Sequence, residues 1–129
     1  MKFNVVVNGS GYDSQTGFSA YKFTEAALQA GHEIEQVFFY RDGVSQANAF
    51  TANLSDEFDP VNSWVNLATK YDLDLYVCVS AAERRGVIDR DQQQEFDKSG
   101  NNLHAAFKVA GLGVLLDASL SADRTVTFR

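Results

Sequence analysis

The stretch KFNVVVN, Lys2 to Asn8, is β-branched and almost continuously apolar. A strand with one face in water alternates polar and apolar residues, whereas a strand covered on both faces does not. The stretch therefore predicts a central strand with helices on either side of its sheet. The loop GSGYDSQTG follows. Ala20, Phe23, Ala27 and Ala30 then recur at helical spacing and predict a helix from about Ser14 to Ala30, stopped by Gly31.

The same alternation continues along the chain. HEIEQVFFY, His32 to Tyr40, reads as the second strand. Arg41 to Asp59 reads as a long polar loop with one helical turn near Gln46, and a loop of that length predicts a functional or interface segment. Pro60 suits the first turn of a helix reaching Lys70, with Val61, Trp64, Val65 and Ala68 on its buried face. LDLYVCVS is the third strand, AAERRG a short turn, and VIDRDQQQEFDKSGNN a polar stretch. A fourth strand centres on Phe107 to Val109, LGVLLDASLSAD is a helix, and RTVTF closes the chain as a strand. Strands alternating with helices predict a single α/β domain over residues 1–129, with an about five-stranded, largely parallel sheet flanked by helices. Chemistry in such sheets sits outside the carboxyl ends of the strands. Three loops qualify: Gly9 to Gln15, Arg41 to Asp59, and Ser80 to Asn102.

Composition narrows the function. The 129 residues are 45% hydrophobic, enough for a real core rather than a disordered chain. The net charge is −6, and the eleven basic residues are dispersed apart from the pair Arg84 and Arg85. A nucleic-acid binder needs a basic stripe to neutralise phosphates, so no stable direct contact with RNA or DNA is expected. No segment approaches the roughly 20 apolar residues of a membrane span. The N-terminal apolar run is short and enters a Gly-rich turn, which is not the pattern of a signal peptide. A lone cysteine forms no internal disulfide. Together these features predict a cytoplasmic protein away from membranes.

Cys78 lies near the carboxyl end of the third strand. Alternation puts Asp74, Tyr76, Cys78 and Ser80 on the more polar face. A helical turn starting near Ser80 would aim backbone N–H groups at the sulfur, and Arg84 and Arg85 could add positive charge. Buried filler is an equally physical role, because free cysteine is among the most buried residue types. Spacing alone leaves both open.

Rival sites are weaker. His32 and His104 stand at no motif spacing from Cys78, so no hydrolase constellation forms. Chemistry that a thiolate performs unaided, thiol–sulfur exchange, fits better. NGSGYDSQTG lacks the Lys-Ser/Thr of a phosphate loop, and Gly9 and Gly11 read as a tight turn. One Cys and two separated His offer no metal ligand set, and no cofactor is expected. Phe38, Phe39 and Tyr40 cannot all face one side of a strand, which predicts that at least one meets a partner chain.

With these residues in view, the chain resembles the TusD/DsrE family of sulfur-relay proteins along essentially its whole length. The resemblance rests on GHEIEQVFFYRDGVSQAN, on SDEFD with the following SW, on VCVSAAERRGVID, on NNLHAAFKVAGLG and on ADRTVTF. It implies a DsrE-type fold and a sulfurtransferase in which Cys78 carries persulfide sulfur. It implies two related small subunits, TusB- and TusC-like, in a heterohexamer built as a dimer of heterotrimers. It also implies a TusA-like donor and a TusE-like acceptor, with the sulfur ending as the 2-thio group of tRNA wobble uridine. The other branch of the family handles sulfur in dissimilatory sulfur oxidation. A scaffold subunit without chemistry, or a nucleotide- or flavin-binding module of similar topology, are the alternatives of another class.

Overall fold

The computed structural model describes all residues from Met1 to Arg129. Its five strands are β1 (Lys2–Val7), β2 (Glu33–Phe39), β3 (Leu75–Cys78), β4 (Phe107–Ala110) and β5 (Arg124–Phe128). They form one sheet in the order β4-β3-β2-β1-β5. Every pairing is parallel. The helices are α1 (Thr16–Gln29), α2 (Pro60–Tyr71), α3 (Val79–Arg84), α4 (Arg90–Glu95) and α5 (Leu112–Ser121).

Register assigns the two faces. Val5, Val37 and Leu75 align across β1, β2 and β3. With Val7, Phe39 and Val77 they form the face that meets α1 and α2, where the Trp64 and Phe39 rings pack edge to face at 5.2 Å. On the opposite face stand Asn4, Phe38, Tyr76 and Cys78. There α5 covers the β1–β2 half, and Asn4 Nδ2 donates to Ser119 Oγ at 3.1 Å. Both faces of the central strands are thus covered, as the near-continuous hydrophobicity of KFNVVVN requires.

Three parts refine or correct the sequence-based expectation. Arg41–Ala47 is a 3-10 helix, and Gly43, Val44, Gln46 and Ala47 within it are buried. The helical turn expected near Gln46 is therefore present, but it spans seven residues and has one side in the core. Phe38 and Phe39 are fully buried and supply core to both faces of the sheet, so half-buried Tyr40 is the one member of the run left to meet a partner chain. AAERRG is not a turn, because its first four residues, Ala81 to Arg84, form most of α3, which starts directly after β3. The polar stretch after it holds α4, started by a capping box in which Asp89 accepts from the Gln92 backbone and the Gln92 side chain accepts from Asp89 N–H.

The 3-10 helix lies across the carboxyl ends of the strands. Gly43 N–H donates to the carbonyls of Asn8 and Tyr40 at 3.2 and 2.9 Å. A Cβ at Gly43 would overlap the Val7 carbonyl, so only glycine permits this approach. Fully buried Gln46 then joins three elements. Its Oε1 accepts from Trp64 Nε1 at 2.8 Å, and its Nε2 donates to the Gly9 carbonyl at 2.8 Å. Gln46→Leu would leave a buried indole N–H and a carbonyl unmet. It should lower unfolding free energy by about 3 kcal/mol in urea titration. A loss below about 1 kcal/mol would mean that this junction is not structurally required.

Candidate active site

Cys78 is the last residue of β3, paired with Ala110 of β4, and also the N-cap of α3. Strand conformation persists to that point (φ −63°, ψ 122°), and the helix begins at the next residue. The sulfur occupies the place where a Ser or Asp oxygen commonly receives first-turn N–H groups, but makes no such hydrogen bond here. Its one polar neighbour is the hydroxyl of exposed Ser80, at 3.7 Å. Cys78 is 3% exposed. The sulfur is therefore covered by core on its inner side and has the hydroxyl and the start of α3 beside it. An anion formed on it would meet the positive end of the peptide dipoles of α3.

The arginines do not fold back onto the sulfur. The helical turn expected near Ser80 is present as α3, but the chain does not reverse there: α3 carries it about 9 Å beyond Cys78 at 1.5 Å per residue. Arg85 Nε binds Asp42 Oδ1 at 2.8 Å, and its Nη1 donates to the Ala81 carbonyl at 3.1 Å. That arginine thereby ties the far end of α3 to the 3-10 helix. Arg84 is exposed and lines a separate groove with Glu83, Gly86 and Ile88. The histidines are structural. His104 Nδ1 accepts from Ala106 N–H at 3.0 Å within the turn before β4. His32 Nδ1 lies 3.0 Å from the N-terminal amine, with its ring edge to face against Phe3.

The other loops of this edge are held by neutral groups. Tyr12, in the loop after β1, donates to the Phe58 carbonyl at 3.2 Å. Burial, then the carboxylates of Glu57 and Asp59, push its phenol above the ordinary value, still further from neutral pH. No three His, Cys, Asp or Glu side chains come together as a metal-binding group. Residues 1–128 match the model of the DsrE/DsrF-like family. The chain belongs to the DsrE/DsrF-like family. Among its relatives, the sulfurtransferase TusD of Klebsiella pneumoniae is 46% identical over 99% of this chain and 100% of its own length. That of Proteus mirabilis is 44% identical, over 99% and 98%. The DsrE protein of Allochromatium vinosum is 44% identical over the same shares of each chain. The crystal structure of the ychN protein from E. coli superposes with a TM-score of 0.78 over 99% of both chains, at 19% identity, which supports the fold.

Sequence reasoning did not find Gln46 or Asn102. The signal for the first was the Gly43, Val44 and Ala47 spacing, which suits a short helix with one apolar side. For the second it was the Asn101-Asn102 pair, a common turn former. If the Arg85 guanidinium serves α3 and not the sulfur, Arg85→Gln should leave the rate of Cys78 alkylation by iodoacetamide within about threefold of the parent. A tenfold slowing, an order-of-magnitude effect, would show that its charge reaches the thiol.

Proposed function

We propose that Cys78 carries sulfur as a persulfide and passes it to an acceptor protein. The observation that supports this most directly is the position of the only thiol, at the junction between the carboxyl end of β3 and the start of α3. Like its TusD relatives, matched along the whole chain, the protein is a sulfurtransferase of a sulfur relay. The Cys78 thiolate attacks the outer sulfur of a donor persulfide, the donor S–S bond breaks, and the donor departs as a thiolate. Cys78 then holds the outer sulfur. An acceptor thiolate attacks that atom, the new S–S bond breaks, and Cys78 is regenerated. The two exchanges balance without an external oxidant. Because the sulfur is almost covered, the partner thiol must enter at the strand end; contact across a flat surface would not reach it.

The route favoured is tRNA 2-thiolation at the wobble uridine in the cytoplasm. A TusA-like donor and a TusE-like acceptor would flank a heterohexamer containing TusB- and TusC-like subunits. Leu112, Leu116 and Leu120 support assembly with such neighbours. They form one exposed stripe along α5, 51%, 59% and 77% accessible, on a helix that buries only Ala118. Leu54, in the segment after Ala47, adds to the apolar surface. The net charge of −6 argues that tRNA itself is held by another component. The DsrE relative, as similar as the TusD chains, supports a second reading in dissimilatory sulfur oxidation.

Cys78→Ser tests the carrier role cleanly. Serine is a favourable N-cap residue, so the variant should fold and assemble as the parent does. A hydroxyl holds no persulfide sulfur, so transfer to the acceptor should vanish. Retained transfer would disprove the assignment. Gene deletion separates the two routes. Loss of wobble 2-thiouridine from tRNA is expected, and intact thiolation with impaired growth on reduced sulfur would select the oxidation route.

A further inference from the structure

A groove of about 560 Å³ lies at the far end of α3 from Cys78, and the carrier chemistry does not use it. Two aromatic rings stand at its walls with their faces unfilled: Phe50 is 73% exposed and Phe96 45%. Arg84 and Lys98 line it too, and neither forms a salt bridge or a side-chain hydrogen bond. The one lining carboxylate, Glu83, accepts from Gln92 Nε2 at 3.0 Å and leaves the cations in excess. In a chain of net charge −6, two free cations between two exposed rings form a local exception.

The groove is also rigidly built. Asn102 Nδ2 donates to the Gly86 carbonyl at 2.9 Å, and its Oδ1 accepts from Ile88 N–H at 2.9 Å. Its carbonyl accepts from Ala49 N–H, so one residue fastens the loops that carry both sides of the groove. Gln93 fixes the segment beyond, donating to the Lys98 carbonyl and accepting from Asn101 Nδ2 at 2.7 Å. A pre-formed trough loses little conformational entropy when a ligand enters it.

We propose that this groove docks an extended, acidic peptide segment bearing large apolar side chains, belonging to the protein with which Cys78 exchanges sulfur. The identity of that protein rests on the carrier role; the chemistry of the segment does not. Carboxylates would pair with Arg84 and Lys98, and apolar side chains would fill the space between Phe50 and Phe96. The six residues of α3 set the distance from groove to sulfur. At about 3.3 Å per residue, three or four extended residues span the length of that helix. Docking would therefore bring a thiol near the docked segment into range of Cys78, and Arg84 would act on the partner's carboxylates instead of on the sulfur.

The test uses the full chain, isotope-labelled for amide NMR. The probe is a synthetic heptapeptide of alternating Glu and Leu with one central Phe. Saturable shifts at Gly86 and Ser99 to Asn102 are expected, with no effect from Cys78→Ser. Arg84→Glu combined with Lys98→Glu should weaken binding about tenfold or more, and a peptide with Lys in place of Glu should restore it. Shift mapping on the parent chain and the salt dependence of its binding decide the matter even if the double variant misfolds. Absent saturation, shifts confined to other surfaces, or undiminished affinity in a folded double variant would overturn the proposal. So would an oligoribonucleotide that moves the same amides at lower concentration than the peptide. Failure of the carrier role would appear only in sulfur-loading experiments and would leave this titration unchanged.

Discussion

The hydrogen bond between Trp64 Nε1 and Gln46 Oε1 is the constraint on which the carboxyl edge of this sheet depends. It is buried, and its other half, from Gln46 Nε2 to the Gly9 carbonyl, reaches the loop after β1. A Cβ at Gly17 would come within 2.7 Å of that same Nε2, so α1 also packs directly on the amide. One side chain therefore sets the spacing of the β1 loop, the 3-10 helix, α1 and α2. A buried polar junction of this kind is costly when half-satisfied and orienting when complete. Here both amide atoms have partners, and the 3-10 helix is held as a platform over the strand ends.

That platform is what α3 leans on. The 3-10 helix supplies Asp42 to Arg85, and the Asn48–Leu103 bridge and the Ala47–His104 hydrogen bond extend it toward β4. Ala81 and Ala82 pack into the core beneath. The start of α3 is thereby fixed in space, and with it the sulfur of its N-cap. Small alanines allow this close packing, and the short helix leaves Ser80 in solvent beside a thiol that is itself nearly covered. Under the proposed carrier role, this covering would shield a persulfide on Cys78 from stray thiols.

The main architecture was legible because buried parallel strands carry an unmistakable pattern. KFNVVVN and EIEQVFF each contain a continuous apolar run, Val5 to Val7 and Val37 to Phe39, that supplies both faces of the sheet, and RTVTF is legible despite being an edge strand. For residues 41–47 the helical turn near Gln46 is legible but its burial is not, because Gln46 is polar, fully buried and satisfied by partners distant in sequence. AAERRG reads as a turn because of its closing Gly86, although Ala, Glu and Arg are all strong helix formers and Ser80 stands directly before it. The Asp89-to-Gln92 capping pattern was visible in the sequence and would have revealed α4. Cys78 could be singled out, but its burial and N-cap position depend on where β3 stops. The reach attributed to Arg84 and Arg85 failed for the same reason. A one-residue transition from strand to helix carries the chain away from the sulfur, where a turn would have returned it.

Everything functional in this account converges on one atom, so the most direct measurement locates the sulfur. The assembled complex, with this chain in it, would be incubated with a persulfidated donor protein and examined by intact and peptide mass spectrometry. The account predicts one added sulfur on this chain, on the peptide containing Cys78, removed by reductant and by the acceptor thiol. A complex that transfers sulfur while this peptide remains a free thiol throughout turnover would contradict it.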